Sequence, residues 1–301
     1  AERPLQRIAI KAPVGETLSY SAVTNAVGVI HRWDARNVPR MFEEPNMPAA
    51  HTVLQRVLIS TVPDWQTISR WYWNLSEPHL KLTPEMKETV RELTKERDTP
   101  ARRIEAIFTF VSQKIRYMGI TVEATAPGYE PHDVKDTFEA RHGVCRDKAA
   151  LLVALLREAG FEAFPTLIHS GPKKDDDVPQ PYFNHAIVAV RLPDQSYQLM
   201  DPTDESTMQL LPAYLNDKSY LVATPEGDTL RVSPIIPASD NRMRIRTVAT
   251  LAPSGRLSAQ TSLNFEGIND NVYRGFFAER NPDERDRLIE GIIKRAMPDA
   301  S

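Results

Sequence analysis

One cysteine among 301 residues excludes an internal disulfide, and with it any zinc site built from several thiolates. Redox chemistry therefore leaves the compartment open. No run of about 18 apolar residues occurs, so nothing in this chain reads as a membrane span. A net charge of −3 offers no electrostatic case for nucleic acid. No signal peptide is visible, and a start at Ala1-Glu2 is compatible with a mature or a recombinant fragment. Hydrophobic content of 41% and charged content of 26% suit a soluble chain of two or three domains with their own cores, and no internal repeat is visible.

The lone Cys145 lies in Arg141-His142-Gly143-Val144-Cys145-Arg146-Asp147-Lys148. From Asp147 to Ala159 the apolar residues Ala149, Leu151, Leu152, Leu155 and Leu156 recur at helical spacing, and Gly160 supplies a stop. Cys145 is thus expected at or just before a helix start, with Gly143 allowing a tight turn ahead of it. A working thiol must ionise below its ordinary pKa of ~8.5, and the unpaired amides and positive dipole end of a helix start favour that. Arg146 and Lys148 add positive charge of unknown direction. The competing reading is a small buried hydrophobe, the usual fate of a free cysteine.

A thiol of this kind needs a base. Phe161 to Ile168 reads as a strand in which Pro165 marks an edge or a bulge, and the polar stretch from Ser170 to Asp177 reads as a surface loop. Ala186 to Leu192 and Ser196 to Met200 then form a hairpin around Pro193-Asp194-Gln195. Centred near residue 193, that hairpin sets His185 directly opposite Asp201, where a carboxylate would fix the tautomer of a general base. A register slip is the main hazard.

Before this region, segments such as Glu16 to Val23 and His51 to Ser60 alternate, with breaks at Pro39, Pro45 and Pro48, so the first ~74 residues read as β-rich. Thr83-Pro84 and Thr99-Pro100 start two helices, running to about Asp98 and Tyr117, because threonine caps and proline suits the first helical position. The second places Ile104, Ile107, Phe108, Val111 and Ile115 on one face, against the cysteine helix. Towards the end, Met243 to Leu251 and Arg256 to Phe265 form another hairpin, and Pro282 to Met297 a helix with Leu288, Ile289, Ile292 and Ile293 inward.

The blocks Gly143-Val144-Cys145-Arg146-Asp147-Lys148-Ala149-Ala150-Leu151-Leu152, Phe183-Asn184-His185-Ala186 and Leu199-Met200-Asp201-Pro202-Thr203 occur in that order. Together they resemble the transglutaminase-like core, in particular the bacterial group in which that core follows a β-rich domain of unknown function. Ile115-Arg116-Tyr117-Met118-Gly119-Ile120 and Gly128-Tyr129-Glu130-Pro131 resemble the same group, and Val23 to Trp73 resembles the end of the preceding β domain. One departure stands out: the group commonly reads Gly-Asp-Cys-Lys-Asp-Lys, and Val144 and Arg146 replace its first Asp and its first Lys.

The resemblance implies an α+β fold in which helices pack on an antiparallel sheet as in papain, flanked by β-rich regions. The expected divisions are 1–74, 75–215 and 216–301. It implies Cys145 as nucleophile, His185 as base and Asp201 as orienting acid, with no cofactor or metal and a protein or peptide substrate. Attack on a carboxamide would give a thioester, resolved by water or by an amine. The alternative is a binding or scaffolding module that keeps the fold with little turnover. Export to a periplasmic or extracytoplasmic setting also follows from the resemblance, with any anchor outside this chain. For the oxyanion, the Cys145 amide is one candidate donor and the Tyr117 hydroxyl a second, against a core role for that tyrosine. His142 is expected to be exposed, and Asp175-Asp176-Asp177 a solvated charge run and not a calcium loop.

Overall fold

The computed structural model describes residues 4–11, 18–48, 50–118, 128–207, 209–278 and 280–296. At the N-terminal end, β1 (Arg7–Lys11), β2 (Leu18–Thr24), β3 (Val29–Ala35), the single turn α1 (Ala50–Val53) and β4 (Arg56–Ser60) follow one another. β1 pairs with β4 and β2 with β3, as separate two-stranded ribbons. The alternation expected from His51 thus holds only from Arg56. Gly119, Ile120 and Glu16, quoted above, lie outside the described residues.

Next comes a helix in a stretch expected to be β-rich: α2 (Trp65–Ser76), capped by Asp64, whose side chain accepts from Thr67 N at 2.7 Å. It buries Trp65, Ile68 and Tyr72 against Leu167, Phe183 and Leu221. α3 (Pro84–Thr94) and α4 (Pro100–Lys114) begin where the Thr-Pro pairs require, Thr83 and Thr99 each accepting from the amide three residues on. Both stop short of the expected ends.

β5 (Arg116–Tyr117), α5 (Val134–Ala140), β6 (His142–Gly143) and α6 (Cys145–Glu158) lead to β7 (Ala163–Ile168), β8 (His185–Arg191), β9 (Tyr197–Met200), β10 (Ser219–Val222) and β11 (Arg231–Val232). The last five make one antiparallel sheet in the order β11-β10-β7-β8-β9. α6 is apolar almost all round because it is buried on every side. Leu151, Leu152, Leu155 and Leu156 pack between α4, through Ile107 and Val111, and one sheet face, through Ala186, Val188 and Val190. The opposite face carries Phe164, Ile187, Ala189 and Leu199 under Trp73 and Leu215.

Two expectations change here. β7 lies inside the sheet, yet Pro165 needs no bulge: β10 pairing ends at Val222 opposite Thr166, and beyond it Pro165 only accepts, from Ala223 N at 2.9 Å. Its missing N–H is on that unpaired side. The divisions at 74/75 and 215/216 also cut through a packed body, since α2 covers this sheet and β10 and β11 belong to it.

β12 (Met243–Leu251) and β13 (Leu257–Phe265) form the expected hairpin, followed by α7 (Ile268–Ala278) and α8 (Pro282–Ala296). The inward face expected of α8 is not buried: Ile289 and Ile293 are each 43% exposed. Among the described residues nothing packs over them as α4 packs over α6.

Candidate active site

Cys145 is the first residue of α6. Val144 offers no capping side chain, so the helix start is secured from the third helical position, where Asp147 Oδ2 accepts from Val144 N at 3.0 Å. Asp147 is buried and its other oxygen accepts from the backbone N–H of His132 at 2.9 Å. Gly143 serves close approach, not the turn: a Cβ there would stand 2.7 Å from Asp147 Cβ. The left-handed residue is Arg141, at φ 57°, where α5 ends.

Lys148 lies one turn into α6. It is wholly buried, and its ammonium donates to the carbonyls of Ser112 and Ile115 at the end of α4. Burial pushes its pKa down to about 8. Arg146 donates to Gly128 O at 3.1 Å and so ties the helix start to the loop before α5.

His185 opens β8, and its Nε2 lies 2.9 Å from Asp201 Oδ2. The pair is not directly opposed as expected. Val188 pairs with Met200, so Asp201 sits one cross-strand diagonal from His185. The hairpin loop has three residues, closed by Gln195 in the left-handed region at φ 66°, with Leu192 N donating to Ser196 O. That moves the register by two, which keeps both side chains on one face.

Asp201 is fully buried and accepts four hydrogen bonds. His185 Nε2 and the Tyr214 hydroxyl share Oδ2, each at 2.9 Å, while Thr203 donates its N–H at 3.0 Å and its hydroxyl at 2.7 Å to Oδ1. The His185 imidazole and the backbone amides of Ala186 and Arg146 are the groups that favour the Cys145 thiolate.

Burial alone would raise the Cys145 thiol, but the hydrogen bond to His185, its charge and the two amides outweigh that and hold the thiol below its ordinary value. Burial likewise works against a charged His185, yet the Asp201 carboxylate and the thiolate push it up to about 10. Asp201 is held below the usual carboxylate range, its burial outweighed by His185 and Thr203. All three shifts run in the direction that favours the charged form of each group beside the others.

Tyr117 is no core aromatic. It is 44% exposed, and parallel pairing of β5 with β6 sets it beside Gly143, two residues before the cysteine. Burial and then the nearby Cys145 charge raise its hydroxyl pKa, while its backbone N–H donates to Glu205 Oε1 at 2.7 Å. His142 is exposed as expected.

The aspartate run is less solvated than expected: Asp175 pairs with Lys11 at 3.2 Å and Arg56 at 3.6 Å, and Asp176 O accepts from Trp65 Nε1. Among the described residues no cluster of three His, Cys, Asp or Glu is placed to hold a metal ion, and no helix is long and apolar enough to cross a membrane.

Thr203 and Tyr214 escaped sequence reasoning. Asp201-Pro202-Thr203 is a turn-forming spacing in which an aspartate accepts from the residue two positions on, so Thr203 was within reach. Tyr214 had no such signal, thirteen residues away across an irregular segment.

No curated protein matches the chain. Among solved structures, a candidate protease from Parabacteroides distasonis shares the fold at TM-score 0.51 and 16% identity, over 83% of this chain and 48% of that one. The chain therefore spans about half the length of that relative. A candidate cysteine protease from Cytophaga hutchinsonii aligns at TM-score 0.34 and 11% identity, over 87% of this chain and 81% of that one. The periplasmic domain of TgpA from Pseudomonas aeruginosa aligns at TM-score 0.30 and 22% identity, over 43% and 46%. Residues 87–202, which hold Cys145, His185 and Asp201, match the family model of the transglutaminase-like superfamily.

Proposed function

We propose that this protein carries out cysteine-dependent acyl transfer on peptide or protein carboxamides, with Cys145 as nucleophile, His185 as acid and base, and Asp201 as the group that orients and charges the imidazole. The observation that carries this reading is the buried His185–Asp201 contact of 2.9 Å, with the same imidazole lowering the pKa of the Cys145 thiol.

The thiolate adds to the carboxamide carbon, and the carbonyl π electrons move onto oxygen. As the first residue of α6, Cys145 has an amide outside the helical ladder, and with the Tyr117 hydroxyl it is the donor pair we assign to that oxyanion. When the C–N bond breaks, the imidazolium of His185 gives its proton to the departing ammonia or amine, leaving a thioester and a neutral imidazole. The imidazole then takes a proton from water or an amine as that group attacks, and the thiolate leaves. The reading includes an extracytoplasmic setting, which rests on the family resemblance.

The test is ammonia release from glutamine-containing peptides, with and without a primary amine acceptor, by wild type and Cys145→Ala. Release by wild type alone supports the reading, and amine incorporation separates transfer from hydrolysis. No release from any peptide, together with an ordinary thiol pKa at Cys145, would instead favour a binding module of the same fold.

A further inference from the structure

Asp201 has more donors than an orienting carboxylate needs. Thr203 already supplies two to Oδ1, enough to keep a buried carboxylate ionised beside an imidazolium. Tyr214 is delivered differently. It rides on a single 3-10 turn, Ala213–Leu215, whose Leu215 is anchored in the apolar cluster with Phe164 and Ile187, and its hydroxyl reaches the oxygen that His185 already uses. Burial and the Asp201 charge raise the Tyr214 hydroxyl above an ordinary phenol, so it stays a donor at neutral pH.

Two donors on one oxygen divide its capacity to accept. The chemistry above asks two opposite things of His185: imidazolium when the amine leaves, neutral imidazole when the thioester is resolved. A carboxylate bonded on that oxygen to the imidazole alone would hold the proton too firmly for the second step. We infer that Tyr214 is a positioning residue whose hydroxyl restrains the pull of Asp201 on the His185 proton, so that the imidazole returns to its neutral form for resolution of the thioester. This deepens the triad reading and rests on it.

The experiment is an NMR titration of the full chain labelled at histidine Cε1, in a Cys145→Ala background where Asp201 is the charged partner left to His185. The signal is assigned by its loss in His185→Gln. Tyr214→Phe keeps the ring and removes one donor, and should raise the His185 pKa by about 0.5–1 unit. Tyr214→Leu, which drops the ring as well, should give a shift of the same sign, and Thr203→Val, which frees the other oxygen, a smaller one. Asp201→Asn should lower the His185 pKa.

If Asp201→Asn leaves His185 unmoved, the pair is not assembled and both the triad reading and this inference fall. If Asp201→Asn lowers the pKa but the two Tyr214 variants leave it unchanged or lower it, the triad stands and the role given to Tyr214 is wrong.

Discussion

α6 and α8 are helices of 14 and 15 residues, each rich in leucine or isoleucine, and they meet opposite fates. In α6 the residues from Asp147 to Leu156 are all buried, whereas in α8 Ile289 and Ile293 stand 43% exposed. Burial is a property of the neighbours. α6 is clasped between α4 and a five-stranded sheet, while α8 comes after a two-stranded hairpin whose Ile245, Leu251 and Leu257 are 53–70% exposed. An apolar stripe shows that a helix can be buried, and only a second layer buries it. The candidate site is built where the clasped helix meets β8 and β9, with Cys145 on the helix and His185 2.9 Å from Asp201 on the sheet side.

The contrast is sharpest in truncations. Leu152→Ala, at a wholly buried position, should cost about 2–5 kcal/mol, and Ile293→Ala on the exposed helix under about 0.5 kcal/mol, in urea unfolding followed by circular dichroism. Equal losses at the two positions would erase the distinction.

A smaller effect is expected at Lys148, the charge buried inside the clasp. Lys148→Ala would strip the carbonyls of Ser112 and Ile115 of their donor, at a cost of about 1–3 kcal/mol. The pH dependence has a definite sign. The folded pKa of about 8 lies below the ordinary 10.5, so between those values the unfolded chain binds more protons, and stability gains from this group as pH rises through that window. Unfolding of wild type and Lys148→Met from pH 7.5 to 10.5 should show that gain in wild type only, after correction for slopes common to both.

The smallest effect should come from the rim of the core. His79 faces Asp133 through Nδ1 at 2.7 Å and Glu130 through Nε2 at 3.0 Å. Burial works against its charge, but the two carboxylates outweigh it and raise its pKa above 6.5. Its stabilising contribution is therefore fully present below pH 6.5 and is lost as pH rises through the raised folded value. Melting curves of His79→Gln and wild type should differ at pH 5.5 and converge above that range; a difference that persists at alkaline pH would mean packing and not charge.

Much of this architecture is legible in local chemistry. Thr83-Pro84 and Thr99-Pro100 cap the helices they announce, and the run after Cys145 forms a helix beginning at the cysteine itself. Features set by long-range or conformational detail are less legible. The β8–β9 register depends on Gln195 adopting a left-handed conformation that its residue type does not advertise. β10 and β11, of four and two residues, join the sheet only because β7 and β10 offer them an edge. Tyr214 reaches Asp201 through a turn placed by Leu215 in a distant cluster. Cys145, His185 and Asp201 could be picked out because each begins or directly follows an element with a readable pattern.

The most direct test of the central claim is the rate of iodoacetamide alkylation of Cys145 as a function of pH, in wild type and His185→Ala. A thiolate paired with an imidazolium predicts rapid alkylation well below the ordinary thiol pKa of ~8.5, with the midpoint moving up in the mutant. Alkylation that rises only near that ordinary value, equally in both proteins, would contradict it.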